Sequence, residues 1–400
     1  MRFIKQKSFL VVAALLLFLI LLAGSLLWGN AQQAKGQLIE NMLSNPEANA
    51  VVAYTFDQNG MLIEDSSNIF YNPDQPLVLA STVKLIVLAA YADAVIAGDL
   101  DPATLVPISH WEAYYLPNTD GNAHRLGLQS LGLKADEYGF ALDQTATVTL
   151  EDLARIMIHY SGNAATDYLL SLIGQERIKQ VFDAAGVESH SPICSLLGPG
   201  LLWMNHDSPM QTLEEFKALE NEYTNQDACP EYPQLAKYLE NDEWREAQIK
   251  LLTGAHAPTA DELELNWAIL QFSAELLPKG TAREYAHLLA LIGSGNFISP
   301  DISELMQGYI ETLPDDWPLR TFFFQRHGEK SGVTAGVLSQ ASYAVPKFGQ
   351  LAGQHRVVVI IANQLPYQVW KSAVIYESLY LFQLDIATGK DIYVNAFIQE

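Results

Sequence analysis

Residues 79–84 read Leu-Ala-Ser-Thr-Val-Lys and lead into segment 85–97, which is apolar except for Tyr91 and Asp93. A helix that is apolar on every face is buried inside a larger protein. Segment 72–76, with its two prolines, opposes helix upstream, so the pattern predicts a buried helix beginning near Ser81. Ser81 and Lys84 are three residues apart and would therefore share one face of that helix.

This pair of side chains has a chemical interpretation and a structural one. A serine hydroxyl is a weak nucleophile at neutral pH and needs an adjacent base. Lysine can serve as that base only where burial or a neighbouring cation lowers its pKa, and a buried helix supplies part of that burial. On their own, Ser81 and Lys84 favour a helix cap followed by a solvated lysine, so the catalytic interpretation depends on the rest of the chain.

Composition excludes several classes of function. The chain has 400 residues, 49% of them hydrophobic, and a formal charge of −23. It can bury a large core, and its acidic surface would repel nucleic acid and anionic lipid headgroups. The nine histidines are scattered, with no Cys/His cluster at zinc spacing. We therefore expect no metal, no other cofactor and no nucleic-acid partner.

The N-terminus predicts attachment to a membrane. Segment 8–28 is uncharged and follows Arg2, Lys5 and Lys7. Its length suffices to cross a bilayer, and the basic flank would keep the N-terminus in the cytoplasm. We therefore expect a single-pass protein in which 1–30 is a cytoplasmic tip and signal anchor and the catalytic domain is extracytoplasmic. A signal peptide cleaved at a poor small-residue site is the alternative.

Residues 31–48 are polar and are predicted to be helical. We interpret 31–47 as a linker, followed by one domain, 48–400. Strand patterns occur at both ends of the domain, in about 48–76 and 318–400, and helical patterns between them, in about 77–317. Segment 322–324 is read as part of a strand and 370–384 as one closing helix. The predicted fold class is α+β, with one antiparallel sheet built from both ends of the chain, flanking helices and a mostly helical subdomain.

Two segments, about 98–145 and 192–260, are interpreted as insertions. The first is rich in loop residues and the second in acidic residues. Cys194 and Cys229 are the two cysteines of the chain, and both lie in the second insertion. An exported protein can keep a disulfide, so we expect these cysteines to pair, with free thiols as the alternative.

Two further motifs change the interpretation of Ser81 and Lys84. The triplet Ser-Gly-Asn at 161–163 joins two predicted helices, and Lys-Ser-Gly at 330–332 begins the C-terminal strands. In this order and these contexts, the three motifs resemble those of the class A β-lactamase-like serine hydrolases, in the superfamily of β-lactamases and penicillin-binding proteins. The resemblance covers about residues 48–385 and implies a three-layer fold with helices on both faces of the sheet.

The resemblance implies catalytic roles for residues of the first two motifs. Ser81 would be the acylated nucleophile and Lys84 its proton acceptor. Ser161 would relay a proton to the leaving nitrogen, and Asn163 would hold the substrate amide. Gly162 stands where the family has aspartate, and we expect its presence to loosen the loop.

The third motif would bind substrate through Lys330, Ser331, Gly332 and Val333. Lys330 would attract a substrate carboxylate and, as a second cation in the cleft, help to lower the lysine pKa values. Ser331 keeps the hydroxyl of the threonine that the family has there and would hydrogen-bond the carboxylate. The backbone N–H groups of Ser81 and Val333 would form the oxyanion hole.

The implied function is a membrane-anchored, monomeric serine hydrolase acting on a β-lactam, amide or ester carbonyl. A D-alanyl-D-alanine peptidase acting on peptidoglycan and a sensor that stays acylated are the alternatives. They differ in deacylation, for which the family uses a glutamate in an E-x-x-x-N segment. Glu262 and Asn266 have that spacing. Glu262 is either the deacylation base or part of an amphipathic helix that continues through Trp267.

Overall fold

The computed structural model describes residues 25–208, 212–223, 228–254, 266–312, 318–390 and 396–397. One antiparallel sheet lies at its centre. Its strands are β1 (Asn49–Phe56), β2 (Leu62–Ile63), β3 (Ile69–Tyr71), β8 (Phe324–Thr334), β9 (Val337–Pro346) and β10 (Arg356–Ala362). The order is β2-β1-β10-β9-β8, and β3 also pairs with β1. Four short strands form two separate pairs: β4 (Leu77–Val78) with β7 (Lys279–Gly280), and β5 (Leu105–Pro107) with β6 (Thr147–Thr149).

The helices fall into three groups along the chain. The first contains α1 (25–44), α2 (Lys84–Ile96), α3 (Ile108–Glu112), α4 (Ala123–Ser130), α5 (Leu150–His159), α6 (Asn163–Ile173) and α7 (Gln175–Ala185). The second contains α8 (Leu197–Trp203), α9 (Leu213–Tyr223), α10 (Pro233–Glu240), α11 (Asp242–Gly254) and α12 (Trp267–Ala274). The third contains α13 (Ala282–Ser294), α14 (Pro300–Ile310), α15 (Pro318–Phe323), α16 (Tyr367–Ile375) and α17 (Ser378–Thr388).

The sheet is covered on both faces. Every residue of β1, β9 and β10 is buried, as expected of strands with a layer packed on each side. Along β1, Val52 faces the large core that contains α2 and α13, whereas Val51 faces a second core formed with α1 and α17. The two ends of the chain thus build one antiparallel sheet between helical layers, which confirms the predicted α+β fold.

Helix α2 is the central element of the large core. All of its residues from Lys84 to Ala92 are buried, so the prediction of a helix enclosed on every side is confirmed. Lys84 differs from the other buried residues of α2 because its side chain carries an ionisable amine, and its relative exposure is 0%. Such burial of a lysine requires partners for its amine or loss of its charge.

Three expectations from the sequence differ from the structure. Segment 31–47 is mostly helical, as expected, but it was also expected to be a linker, whereas α1 packs Leu38 and Met42 into the second core. Segment 322–324 is not a strand throughout, because α15 continues to Phe323 and β8 begins at Phe324. The closing helix is two helices, broken at Glu377, whose φ of 50° is left-handed.

The second insertion packs against the first. Leu116 of the first insertion shares a small core with Leu197, Leu201, Tyr238 and Trp244 of the second. Cys194 and Cys229 form a disulfide, the pairing expected from their shared segment. Both insertions therefore belong to one wall of the molecule, which lies beside the start of α6.

The described residues include no helix long and apolar enough to cross a bilayer. Most of segment 8–28 lies outside the described residues. The anchor expected there stays a prediction, as do the domain boundaries.

Candidate active site

Ser81 lies at the entrance of the buried helix. It sits in a 3-10 turn, Ala80–Val83, which runs directly into α2. Ala80, just before it, has a φ of 46°, a left-handed conformation that costs free energy for a residue with a side chain. The Ser81 Oγ is 3.0 Å from the Lys84 Nζ, so the hydroxyl and the amine are in hydrogen-bonding contact.

Four oxygens surround the Lys84 amine. Besides the Ser81 Oγ, they are the backbone oxygen of Ser161 at 2.6 Å, the Ser161 Oγ at 3.2 Å and the Asn163 Oδ1 at 2.7 Å. The backbone and amide oxygens can only accept hydrogen bonds. They therefore take the two hydrogens of a neutral amine, and its lone pair is left for the hydroxyl hydrogen of Ser81. In this arrangement Lys84 is oriented as a base.

The electrostatic environment favours that neutral form. Burial, reinforced by the positive charge of Lys330, lowers the pKa of Lys84 well below its usual range, while Asp167 and Asp120 act in the opposite direction. Burial lowers the pKa of Lys330 to about 8, against the raising effect of Glu329. Both amines therefore lose their protons more readily than an exposed lysine, and at Lys84 burial and the charge of Lys330 act in the same direction.

Ser161 connects the two lysines. Its Oγ accepts a hydrogen bond of 3.1 Å from the Lys330 Nζ and lies 3.2 Å from the Lys84 Nζ. The residue is held in a left-handed conformation with φ at 66°, between the end of α5 and the start of α6. Strain of this kind occurs where the surroundings fix a functional geometry. The hydroxyl of Ser161 can therefore transfer a proton across the cleft.

The turn at Gly162, which the sequence led us to expect as a looser loop, makes close contacts in the structure. A Cβ at position 162 would lie 2.8 Å from the Cγ2 of Ile156, so the glycine allows a close contact that aspartate could not make here. The Gly162 oxygen also accepts hydrogen bonds from the Thr166 N–H at 3.1 Å and the Thr166 hydroxyl at 2.8 Å. The turn between α5 and α6 is tightly packed without the carboxylate.

Strand β8 lies against the nucleophile turn. A Cβ at Gly332 would be 2.6 Å from the backbone nitrogen of Ser81 and 2.7 Å from the Leu79 oxygen. Ser339, on β9, donates a hydrogen bond of 2.6 Å to the same Leu79 oxygen and ties the sheet to the turn. This close approach brings the backbone of β8 at Gly332 against the turn that carries Ser81, and the oxyanion hole expected from Ser81 and Val333 stays a prediction.

The residues of the third motif face different sides of β8. Lys330 and Gly332 are buried towards Ser161 and Ser81, whereas Ser331 and Val333 are exposed. Ser331 lines a separate cleft with Glu329 and Glu377. The structure therefore brings Ser81, Lys84, Ser161, Asn163, Lys330 and Gly332 together and leaves Ser331 at the edge of the group.

A buried carboxylate that the sequence analysis missed shapes the opposite wall. Asp167 accepts hydrogen bonds from the Leu196 N–H at 2.7 Å, the Leu197 N–H at 2.8 Å and the Ser195 hydroxyl at 2.7 Å. It lies four residues after Asn163 on α6, so the two side chains share a face of the helix. A carboxylate at that spacing, in a helix otherwise rich in apolar residues, could have identified Asp167 as a buried residue near the site from the sequence alone. Asp167 fixes Leu196 and Leu197 beside the cleft.

The structure gives limited information on the candidate deacylation base and on metal binding. Glu262, the candidate deacylation base, lies outside the described residues, and Asn266 is the residue before α12. Within the described ranges, no group of three or more His, Cys, Asp or Glu side chains is arranged to hold a metal ion.

Comparisons with known proteins give a family and similar folds. No curated protein matches the chain. The structure is similar to a β-lactamase from Sphaerobacter thermophilus DSM 20745, with 16% identity, a TM-score of 0.47 and coverage of 89% of this chain and 96% of that one. The structure is also similar to that of PBP-A, with 14% identity, a TM-score of 0.44 and coverage of 87% of this chain and 96% of that one. The model of the beta-lactamase enzyme family matches residues 39–316, more than half of the chain. The chain therefore belongs to the β-lactamase enzyme family.

Proposed function

We propose that this protein is a serine acyl-transfer enzyme whose nucleophile is Ser81. Its substrate would be a β-lactam, an amide or an ester, the carbonyl carbon of which becomes bonded to the Ser81 Oγ. The observation that carries the proposal is the contact of 3.0 Å between the Ser81 Oγ and a buried Lys84 amine whose hydrogens are directed to two acceptor oxygens. Activation of the hydroxyl by a positioned base is what serine needs for nucleophilic attack.

The contacts support a balanced sequence of proton transfers. The Ser81 Oγ forms a bond to the carbonyl carbon while its proton moves to the Lys84 Nζ. The bond from carbon to the leaving nitrogen or oxygen breaks, and the leaving atom takes a proton from the Ser161 Oγ. Lys84 returns a proton to Ser161 over 3.2 Å. Lys330 stays cationic below about pH 8 and stabilises negative charge near Ser161.

A second candidate, a slowly deacylating peptidase or sensor, is favoured by one observation. The cleft beside Asn163 has one carboxylate among its described lining residues, that of Asp120. Its two oxygens accept hydrogen bonds from the N–H groups of Asn122 at 3.1 Å and His124 at 2.8 Å. Leu196 and Leu197 line the wall that Asp167 fixes. Asp120 is thus held by backbone groups, and the described base in contact with the Ser81 Oγ is Lys84, so we propose that the acyl-enzyme is long-lived.

A time course of labelling with a fluorescent penicillin tests both proposals. We expect Ser81 to be labelled, with the adduct located by mass spectrometry, and the label to persist after free probe is removed. Ser81→Ala should abolish labelling. Ser171→Ala, which removes an exposed hydroxyl from α6, should label like the parent. An adduct on another residue would refute the assignment of Ser81, and rapid decay would make the protein an efficient β-lactamase.

We also propose that residues 1–30 anchor the protein in a membrane, with the catalytic domain on the extracytoplasmic side, where wall fragments or β-lactams would reach it. The uncharged run 8–28 after three basic residues supports the anchor. The disulfide between Cys194 and Cys229 supports an oxidising compartment. Protease added to intact spheroplasts should degrade the domain. Protection of the domain would overturn this orientation.

A further inference from the structure

Helix α1 projects beyond the body of the protein at its N-terminal end. From Ala31 onward the helix buries one side, whereas every residue of 25–30 is exposed. Leu26, Leu27 and Trp28 have relative exposures of 61%, 61% and 60%. At the rise of an α-helix, the exposed part extends about 9 Å along the axis. Residues 25–28 are also the last part of the uncharged run 8–28, so one continuous helix connects the end of that run to the domain.

The buried side of α1 fixes the helix to the domain. Leu38 and Met42 pack into the second core, beside the outer face of the sheet. The Lys35 Nζ donates a hydrogen bond of 2.5 Å to the Asp385 Oδ2 on α17, and both side chains are buried. Separation of a buried ion pair would leave an uncompensated charge away from water, so α1 is held in one position. The orientation of α1 therefore sets the orientation of the whole domain.

The end of α16 lies beside the exposed part of α1. The Asn30 side chain donates a hydrogen bond of 3.4 Å to the hydroxyl of Tyr376, the residue that follows α16. Val374 and Ile375, the last two residues of α16, are 39% and 61% exposed. The two helices thus present one exposed surface, the apolar end face, which consists of Leu26, Leu27, Trp28, Val374 and Ile375.

The charge of these two segments differs from that of the whole chain. The chain has 46 acidic residues and a formal charge of −23, but residues 25–39 and 367–375 include no Asp or Glu. Their charged residues are Lys35 and Lys371. Glu377 comes after the end of α16 and lines the cleft that contains Ser331. The repulsion of anionic headgroups that the overall composition predicts therefore does not arise from the segments that form the apolar end face.

The helix geometry sets the height of α16 above a bilayer. Trp28 ends the uncharged run, and tryptophan favours the boundary between hydrocarbon and headgroups. Asn30 is two residues further along α1, so it lies at most about 3 Å farther from the hydrocarbon. The headgroup layer of one leaflet is about 5–8 Å thick. The end of α16, which contacts Asn30 through Tyr376, therefore reaches that layer.

We infer that the apolar end face docks on the lipid bilayer that the N-terminal segment enters. The catalytic domain is then held against the membrane surface and does not move on a flexible tether. Contact with lipid removes the apolar surface of Val374 and Ile375 from water. Because Val374 also lines the cleft that contains Ser331, that cleft opens next to the bilayer. The inference rests on the proposed membrane anchor and not on the acylation of Ser81.

Quenching of a fluorescent label by brominated lipid tests the inference in the full chain, reconstituted in phosphatidylcholine nanodiscs. The two cysteines of the chain form a disulfide, so one introduced cysteine is the single free thiol for the label. The variants are Ile375→Cys, Trp28→Cys and, as a control of matched exposure on β5, Leu105→Cys, where the leucine is 65% exposed. Lipid brominated near the carbonyl end of its acyl chains should quench the labels at 28 and 375 and leave the label at 105 unchanged.

The label at position 28 separates this inference from the proposed anchor. Quenching at 28 without quenching at 375 would leave the anchor intact and overturn the inference. Absence of quenching at both positions would overturn the anchor and the inference together. Equal quenching at 105 and 375 would show that no particular face meets the lipid. If a second copy of the chain covers the face, the label at 375 would escape the bromolipid and its emission would change with the number of proteins per disc, which would also overturn the inference.

A helical spacer tests the rigid connection between anchor and domain. Insertion of Ala-Glu-Ala-Ala-Ala-Lys-Ala between Asn30 and Ala31 would lengthen α1 by about 10 Å and rotate the domain by about 20°. The domain would then leave the headgroup layer, so quenching at 375 should be lost while quenching at 28 persists. Parental quenching at 375 in the folded spacer variant would overturn the inference. If thermal melting shows that the spacer variant does not fold, the labels at 28, 105 and 375 in the chain without the spacer decide the test.

Discussion

Replacement of Gly332 by alanine is the most direct perturbation of the contact between sheet and nucleophile. The backbone of Gly332 is not left-handed, so alanine would be tolerated at this position if space allowed. Its Cβ, however, would lie 2.5 Å from the Ser339 Oγ, 2.6 Å from the Ser81 nitrogen and 2.7 Å from the Leu79 oxygen. Two of these three atoms belong to the backbone of the turn that carries the nucleophile, so a rotation of side chains cannot relieve the overlap.

The size of the effect follows from these distances. Ordinary contacts of a Cβ begin at 3.4 Å, so the turn and the strand must separate by 3.4 − 2.6 = 0.8 Å. A misplacement of about 1 Å in a catalytic group costs about 100-fold in rate. Overpacking of this kind also lowers the free energy of unfolding by about 1–3 kcal/mol. We expect Gly332→Ala to slow acylation of Ser81 by about two orders of magnitude while the protein stays folded at 25 °C.

The assay is the second-order rate constant for labelling by fluorescent penicillin, measured beside thermal melting. Gly308→Ala is the matched control, because Gly308 is exposed on α14 and a Cβ there meets no atom within 4 Å. That change should raise the free energy of unfolding by about 0.5–1 kcal/mol and leave labelling unchanged. If Gly332→Ala labels within threefold of the parent rate, β8 does not lie against the nucleophile turn as described.

The remaining predictions concern the proton transfers and the second insertion. Lys84→Arg should lower the rate of acylation about 10²–10⁴-fold, as Lys84→Ala does, because arginine cannot accept the proton; a near-parental rate would make Lys84 purely electrostatic. The rate of acylation should rise with pH as Lys84 loses its proton and fall above about pH 8 as Lys330 loses its own; a rate that still rises at pH 10 would exclude a need for cationic Lys330. Alkylation without reductant should modify neither Cys194 nor Cys229, and reduction should cost about 3–4 kcal/mol of stability, as measured by denaturant unfolding. Glu262→Gln should leave acylation fast; a longer-lived acyl-enzyme would make Glu262 the deacylation base, whereas a parental lifetime would leave that task to Lys84.

The fold could be predicted from the sequence where the hydrophobic pattern was unambiguous. Helix α2 has apolar residues on all faces, and strands β9 and β10 are buried throughout, so burial and length identified them. Helix α1 was predicted as a helix but interpreted as a linker, since its polar composition concealed Leu38 and Met42, which α1 buries against the outer face of the sheet. That contact depends on where the C-terminal helices lie, which a local pattern does not encode.

The site could be predicted in its composition but not in its geometry. The three motifs identified the side chains that meet, because their spacing and order reflect the turns and the strand that carry them. The left-handed conformations of Ala80 and Ser161 were not predicted, since neither residue type favours them and the surrounding packing imposes them. The opposite faces of Lys330 and Ser331 follow from the alternation along a strand and could have been inferred.

The second insertion and the buried Asp167 together determine what the site can do after acylation. Burial raises the pKa of Asp167, and hydrogen bonds from Leu196, Leu197 and Ser195 act against that rise. The oxygens of the Asp167 carboxylate face the loop 195–197 and accept its hydrogen bonds. The carboxylate therefore cannot serve as a base for water. The loop in turn presents leucines to the cleft. Among the described residues of this wall, the same contacts therefore leave no group free to activate water, which would favour a persistent acyl-enzyme.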